Sequence, residues 1–528
     1  MKIDKKLMNQ AEVLLFGKGK RGLLKIIFGR TGIVMGILLA QLFVLVSVFQ
    51  FLQTLIPYLV GTLAIFTVIM VVYVINTDHN TSVKLSWVIL IMAVPGFGGL
   101  LYIYIQKEVG HRALKRRLKT ILKESEDGLV KQDDLMEKLK VENKGLYNLA
   151  TYTNNVENYP IYEKSSAKYF KIGEDAFEEM LYQLSNAKEF IYLEYFILAE
   201  GQMWGKILKI LSDKVKEGVE VKVMYDGTCE FALLPRSYPR RLRELGIECT
   251  VFAPIRPFIS THYNYRDHRK ILVIDGRVAF TGGINLADEY INEKEVYGHW
   301  KDTVLMVEGD AVDSFTLMFL QMWNVDKRER AYIDNFHRAK PLARPDKGYI
   351  LPYGDSPLDN DKVGQMIYMD MLNRAEDYVH IMTPYLILDG EMKTALQFAA
   401  RRGVDVKIMM PHIPDKKFVF AQSRSHYKEL INSGVEVYEY TPGFMHAKSF
   451  VSDDRKAVVG TINLDYRSLY HHFECGVYME GVPAILDVEK DFQECLEISQ
   501  KVTLEDIRGY NIIMTLIGKV LNLIAPLM

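Results

Sequence analysis

Cysteine is scarce in this chain. The four present, Cys229, Cys249, Cys475 and Cys495, are scattered and form no Cys-x-x-Cys pair. That excludes a disulfide framework and a cysteine zinc site, and it fits a reducing compartment. Net charge is almost absent: 65 basic residues face 66 acidic ones, for a formal charge of −1. Such a balance carries no global nucleic-acid signal, and no basic patch interleaved with aromatics stands in for it. No cluster of carboxylates has the look of a two-metal centre. Charge is missing altogether from two stretches, between Arg30 and Asp78 and between Lys84 and Lys107.

Those uncharged stretches are a membrane signal, because a helix needs roughly 20 apolar residues to cross the hydrocarbon core. The first has room for two segments, Thr31–Phe51 and Leu55–Ile75, with a short link near Gln53. The second has room for one, Trp87–Ile105. No short apolar core with a small-residue cleavage site precedes them, so they are expected to be uncleaved anchors. The first 30 residues are basic (Lys2, Lys5, Lys6, Lys18, Lys20, Arg21, Lys25, Arg30) and are expected to stay in the cytoplasm. Lys107, His111, Arg112, Lys115, Arg116, Arg117 and Lys119 follow the last apolar run. Keeping both basic ends inside requires an even number of crossings. The helix-breaking run Pro95-Gly96-Phe97-Gly98-Gly99 makes the third segment a candidate re-entrant element, and the first segment could instead lie in the interface. Residues 107–160 read as a charged juxtamembrane linker with helices over Lys115–Lys123 and Leu135–Lys140. It is either a solvated connector or a basic collar for anionic headgroups.

From about residue 160 strands and helices alternate, and the series runs twice. Strand 189–198, helix Trp204–Glu217, Gly218, strand 219–226, helix Arg240–Leu245, Gly246 and strand 247–254 form the first pass. Strand 376–388, helix Glu391–Arg402, Gly403, strand 404–411, helix His426–Asn432, Gly434 and strand 435–442 form the second. Glycine at helix ends and β-branched strands are α/β punctuation. Each pass leads into His-x-Lys-x-x-x-x-Asp: His268, Lys270 and Asp275, then His446, Lys448 and Asp453. The predicted fold is therefore α/β, two pseudo-twofold-related domains of mixed sheets flanked by helices, preceded by an N-terminal helical membrane anchor. The boundaries are 1–30 basic segment, 31–106 anchor, 107–160 linker, 161–335 first domain, 336–505 second domain and 506–528 apolar C-terminal helix. About ten extra residues precede the first histidine, in PIRPFISTHYNYRD, which argues that the two copies do different jobs. The C-terminal run, apolar but for Lys519, either lies in a membrane interface or packs on the second domain.

The triplets suit chemistry on a phosphodiester. Residues two apart on a strand share a face, so each imidazole has an ammonium beside it. The lysine neutralises phosphate oxygens, and a histidine serves as nucleophile or as acid and base near neutral pH. With two histidines, one attacks phosphorus and the other protonates the leaving alkoxide, and no metal or other cofactor is required. Asp275 and Asp453, counted with the catalytic set, sit at the turn after each strand and are expected to order the loop. Gly283 and Asn285, with Thr461 and Asn463, are expected to bind phosphate through close backbone approach and amide donors. A histidine nucleophile needs an acceptor on its other nitrogen; Asp302 and Glu474, one downstream of each triplet, are the candidates. His262, His380, His412, His471 and His472 are more ordinary loop or core positions.

The blocks RDHRKILVIDGRVAFTGGINLADEY, WKDTVLMVEGDAV, RRGVDVKIMMPHIPD and YEYTPGFMHAKSFVSDD, with VVGTINLDYRSL and WVILIMAVPGFGGLLYIYI, resemble the phospholipase D superfamily, and within it the bacterial-type cardiolipin synthases. The chain departs from that pattern in an additional first apolar segment and in His471-His472, where the family tends to have an asparagine. The resemblance implies two phospholipase D-type domains and transfer of a phosphatidyl group between two phosphatidylglycerol molecules. His268 would be the nucleophile of a phosphatidyl-histidine intermediate and His446 its acid and base. The apolar runs and their basic flanks predict a multi-pass protein of the cell membrane with cytoplasmic catalytic domains. Its partners would be phosphatidylglycerol and other anionic lipids, with no nucleic acid; oligomeric state is open. The competing readings are a membrane-anchored phospholipase D that uses water, a nuclease, and a non-catalytic lipid-binding scaffold.

Overall fold

The computed structural model describes residues 41–48, 50, 59–106, 112–125, 128–254, 265–325, 338–359 and 361–527. The basic N-terminus, most of the Thr31–Phe51 segment, Lys107, His111, most of the PIRPFISTHYNYRD insertion and the boundary near residue 335 lie outside them.

The apolar region forms α1 (Leu59–Ile75), α2 (Thr81–Ala93) and α3 (Phe97–Gln106). No helix among the described residues is long and apolar enough to cross a membrane. The run expected over Trp87–Ile105 is two helices, because the chain turns at Val94-Pro95-Gly96. Met70, Val74, Trp87, Ile91 and Tyr102 bury a small core of their own, while Ile65, Ile69, Val72, Leu85, Met92, Leu100 and Tyr104 face outward. Next come α4 (Arg112–Glu124), α5 (Asp133–Glu142) and α6 (Lys144–Glu157). The last of these is a helix that the charge pattern did not suggest.

The first half contains β1 (Ser165–Phe170), α7 (Gly173–Ser185), β2 (Phe190–Tyr195), α8 (Gln202–Lys216), β3 (Glu220–Asp226), α9 (Tyr238–Glu244) and β4 (Glu248–Phe252). It continues through β5 (Arg266–Asp267), β6 (Lys270–Ile274), β7 (Val278–Gly282), β8 (His299–Lys301), β9 (Val304–Gly309) and α10 (Val312–Trp323). The second half contains β10 (Tyr349–Asp355), α11 (Val363–Arg374), β11 (Tyr378–Met382), α12 (Gly390–Arg401), β12 (Asp405–Pro411), α13 (Lys417–Ile431) and β13 (Glu436–Tyr440). It closes with β14 (Gly443–Met445), β15 (Ser449–Ser452), β16 (Lys456–Gly460), β17 (His472–Glu480), α14 (Ala484–Glu497), β18 (Ser499–Lys501) and α15 (Ile512–Ile524).

The two sheets have matching order, β1-β9-β7-β6-β2-β3-β4 and β10-β17-β16-β15-β11-β12-β13, with β18 added to the second. Strands β2, β3 and β4 are parallel, as are β11, β12 and β13; the remaining pairs along each sheet are antiparallel. The parallel pairs are joined by helices, and α8 and α12 are followed by Gly218 (φ 92°) and Gly403 (φ 99°), whose left-handed backbone ends each helix. On β6, Ile271 and Val273 enter an apolar core shared by both halves, whereas Leu272 and Ile274 enter a core confined largely to the first. That alternation is the period of two of a strand buried on both faces. All of α10 is buried beneath the shared core, with Phe319 stacked on Tyr192 of β2 at 4.7 Å. In the second half Tyr368 of α11 stacks on Phe450 of β15 at 3.9 Å.

Candidate active site

Each triplet straddles the start of a central strand. Lys270 opens β6, and Lys448 immediately precedes β15. Both strands are paired on both sides, so the backbone carrying each triplet is held from two directions. Lys270 Nζ donates to the carbonyl of His268 at 2.6 Å and lies 5.5 Å from the Phe196 ring. Lys448 Nζ donates to the carbonyl of His446 and lies 2.9 Å from His446 Nδ1.

Two short parallel pairings bring the halves together. Strand β5, just before His268, runs beside the start of β17, with Arg266 opposite His472 and Asp267 opposite Phe473. Strand β14, just before His446, runs beside β8, with Phe444 opposite Trp300 and Met445 opposite Lys301. The next residue continues each pairing: His268 N–H donates to Phe473 O at 2.9 Å, and His446 N–H to Lys301 O at 2.7 Å. This register exchanges the carboxylates. His268 Nδ1 is 2.9 Å from both oxygens of Glu474, and His446 Nδ1 is 2.6 Å from Asp302 Oδ2. Each histidine therefore takes its partner from the opposite half. A carboxylate on Nδ1 assigns the proton there and leaves the lone pair on Nε2.

Burial dominates the electrostatics. Burial, then Lys270 and Lys448, hold the His268 imidazole well below its usual range. Burial and Lys448 push His446 down to about 4, against the opposing pull of Asp302. Burial also lowers Lys270 to about 8 and Lys448 to about 7. For Asp302, burial would raise the carboxyl, but His446 and Lys448 outweigh it and hold the group below the usual carboxylate range. Without a ligand both imidazoles are neutral at neutral pH, the state a nitrogen nucleophile requires.

The other expected site residues fall into supporting positions. Asp275 and Asp453 stand at the far end of β6 and β15 with left-handed backbones (φ 55° and 57°). Asp275 accepts the N–H groups of Lys188, Glu189 and Phe190, and Asp453 those of Glu376, Asp377 and Tyr378, at 2.8–3.0 Å. They pin the starts of β2 and β11 and do not meet the histidines. Gly283, expected at phosphate, donates its N–H to Thr303 O, and its missing Cβ makes room for Asp302. Thr461 donates its N–H to Cys475 O and its hydroxyl to Glu474 Oε2. Asn285 accepts from Ile197 N–H at 2.9 Å and donates to Tyr290 Oη at 2.8 Å, so both ends of its amide are used. Asn463 Oδ1 is buried with no hydrogen-bond partner among the described residues.

The walls were missed in the sequence. Phe196, one residue beyond β2, lies edge-on to His268 at 4.9 Å, and His472 lies 5.3 Å from it. Tyr290, Trp300 and Phe444 surround His446 at 5.2–5.6 Å. The signal for Phe196 was its place at the carboxyl end of a parallel strand, where open α/β sheets present their sites. Among the described residues, His268, His472 and Glu474 are the group whose donor atoms cluster closely enough to hold a metal ion.

Comparison with known proteins gives this geometry its family. Residues 180–323 and 368–496 match the model described as cardiolipin synthase, phospholipase D-like domain. The chain belongs to the cardiolipin synthase family. The matched blocks contain both triplets and both exchanged carboxylates. Residues 65–106, spanning most of α1 and all of α2 and α3, match a phospholipase D-nuclease N-terminal model. A cardiolipin synthase of Alkalihalophilus pseudofirmus is 32% identical over 90% of this chain and 95% of its own. An uncharacterised protein of Streptococcus mutans is 51% identical over 87% of this chain and 99% of its own. Among solved structures, a phosphatidylserine synthase of Haemophilus influenzae aligns with TM-score 0.55 over 72% of this chain and 97% of its own. At 15% identity it attests the fold alone. The chain is accordingly an enzyme of the phosphatidyltransferase class.

Proposed function

We propose that the chain makes cardiolipin by moving a phosphatidyl group between two phosphatidylglycerol molecules. The observation that carries this reading is the exchange of carboxylates, which leaves one buried site with two neutral, oriented imidazoles and two lysines. His268 Nε2 attacks phosphorus of the first lipid and the P–O bond to its glycerol breaks. His446, which takes up a solvent proton on Nε2 as the substrate anion binds, gives that proton to the departing alkoxide. His446 then takes the proton from a hydroxyl of the second lipid, whose oxygen attacks phosphorus and breaks the P–N bond. Cardiolipin and glycerol leave, and both histidines return to their starting state. The phosphodiester anion balances Lys270 and Lys448 and so raises the proton affinity of His446 when substrate is bound. We assign the phosphate oxygens to the two lysines. Gly283 and Thr461 act on the carboxylates and Asn285 on its loop, while Asn463, whose Oδ1 is unpaired among the described residues, stays assigned to the phosphate side.

A membrane location follows from the substrates. The outward apolar residues of α1 to α3 lie on the same part of the molecule as α15, which packs on α2 and α13 and exposes Ile512, Ile513, Leu516 and Val520. Exposed apolar side chains on helices packed together in this way are what a lipid interface covers. Asn80, in the turn between α1 and α2, bonds Tyr470 of the second half at 3.1 Å, tying the anchor to the catalytic body. We place that body on the cytoplasmic face, with the two basic segments.

Labelled phosphatidylglycerol given to the purified enzyme tests the reading. Cardiolipin and free glycerol are expected. Phosphatidic acid would make the enzyme a hydrolase, and no turnover would leave a lipid-binding scaffold.

A further inference from the structure

The two carboxylate sites differ at one position that the proposed reaction does not use. In the pairing of β14 with β8, the residue two before Asp302 is Trp300; in the pairing of β5 with β17, the residue two before Glu474 is His472. Two residues apart on a strand, His472 and Glu474 share a face. His472 is buried, and its Nδ1 has no hydrogen-bond partner among the described residues. It stands 3.7 Å from Glu474 Oε1, too far for a hydrogen bond, while His268 Nδ1 is 2.9 Å from the same oxygen. His472 therefore presents a free ring nitrogen beside a carboxylate that His268 already holds.

We propose that His268, His472 and Glu474 form an inhibitory site for a divalent transition-metal cation of the zinc class. Two imidazoles and a carboxylate are the donor set such ions prefer. Their donor atoms all lie within 4.8 Å of one another. Around a tetrahedral ion with bonds of about 2.0–2.1 Å, ligands stand roughly 3.4 Å apart. The separations of 2.9 and 3.7 Å bracket that value. Lys270 and Lys448 oppose a cation here, and the charges of Glu474 and Asp302 offset them. Across the pseudo-twofold, the indole of Trp300 offers no lone pair to a metal, so the site exists once.

Occupancy stops the reaction through the tautomer. A metal on His268 Nδ1 takes that lone pair and moves the ring proton to Nε2. The nitrogen that attacks phosphorus is then capped by hydrogen, and Glu474 no longer orients the ring. The ion is a reversible block, distinct from any role in the chemistry. This part of the inference rests on His268 being the nucleophile.

The experiment uses the full-length enzyme in detergent micelles, with zinc chloride as the probe. Calorimetry measures zinc binding, and labelled phosphatidylglycerol measures turnover at each zinc concentration relative to the metal-free rate of the same protein. His472→Asn is expected to lose one equivalent of bound zinc or weaken it by about tenfold or more, and to shift the inhibition midpoint by the same factor. Equal stoichiometry and affinity in both proteins overturns the site. Binding without inhibition overturns the block on His268 while leaving the site. Absence of lipid turnover defeats the synthase reading, and calorimetry still decides the site. Should His472→Asn not fold, cobalt(II) replaces zinc in the unaltered enzyme: intense visible bands of tetrahedral coordination support the site, and weak octahedral bands overturn it.

Discussion

The two halves carry the same hairpin, the same triplet and the same strand order, yet their histidines live in different company. His446 is paired to a short carboxylate, Asp302, and walled by Tyr290, Trp300 and Phe444. His268 is paired to a longer one, Glu474, which also accepts the Thr461 hydroxyl, and its neighbours are Phe196 and His472. Position for position, Gly283 stands where the second half has Thr461. The glycine makes space for the first carboxylate, and the threonine bonds the second. Duplication thus supplied two equivalent scaffolds, and small changes around the carboxylates made them unequal. Unequal partners are what a nucleophile and a proton carrier require, because one must stay unprotonated while the other gains and loses a proton.

The sharpest way to break the comparison is to remove each histidine. His268→Asn and His446→Asn should each lower turnover on the order of 10⁴-fold or more. With a lipid bearing an activated leaving group, which needs no acid, only His446→Asn should trap labelled phosphatidyl-enzyme. An adduct on His268→Asn would exchange the roles. With that same activated lipid, the crossed pairing predicts that Glu474→Gln slows adduct formation, while Asp302→Asn slows only transfer to the lipid acceptor, each by about 10²–10⁴-fold. Single-turnover measurements separate the steps; the reverse assignment would mean that each carboxylate serves its own half.

Smaller changes test how the carboxylates are held. Gly283→Ala should cost about 10²-fold in kcat by displacing Asp302, whereas Thr461→Val, which removes one hydrogen bond, should cost about tenfold. Equal losses would deny the difference between the halves. Lysine charge sets the pH response. With Lys448 and Lys270 lowered to about 7 and about 8, the proposed hold of their protonated forms on phosphate predicts that kcat/KM falls as pH rises through that range. A flat profile there would remove the lysines from phosphate binding. Last, Asp275→Asn should destabilise the fold by about 1–3 kcal/mol in thermal unfolding, and the more exposed Asp453→Asn by less, with little change in kcat. A large loss of kcat in a well-folded Asp453→Asn would return that residue to the chemistry.

Much of this was legible locally. Most strands and helices of both repeats lie within a few residues of their expected bounds, because the β-branched runs and helix-ending glycines speak for themselves, whereas β11 ends at Met382, six residues before the expected Leu388. Helix α13 begins at Lys417, well before the His426 start that the helical pattern predicts. The charge-free run around Trp87 divides at Pro95 and Gly96, where the sequence already carries a helix-breaking cluster. Asn285 and Thr461 looked like phosphate contacts because glycine-rich loops often are; their amide and hydroxyl groups turn out to be needed inside the fold.

By itself the sequence determined the chemistry available: two imidazole–ammonium pairs, each on one strand face, in a duplicated α/β frame joined to an apolar N-terminal region. Spacing of two residues settles that, since a strand's pleat is local. Only tertiary structure decided which carboxylate serves which histidine, and that His472 faces Glu474 and His268 together. Those pairings run between β5 and β17 and between β14 and β8, segments separated by more than a hundred residues and aligned by packing of the two halves on a shared core. No local pattern encodes a register set by that burial.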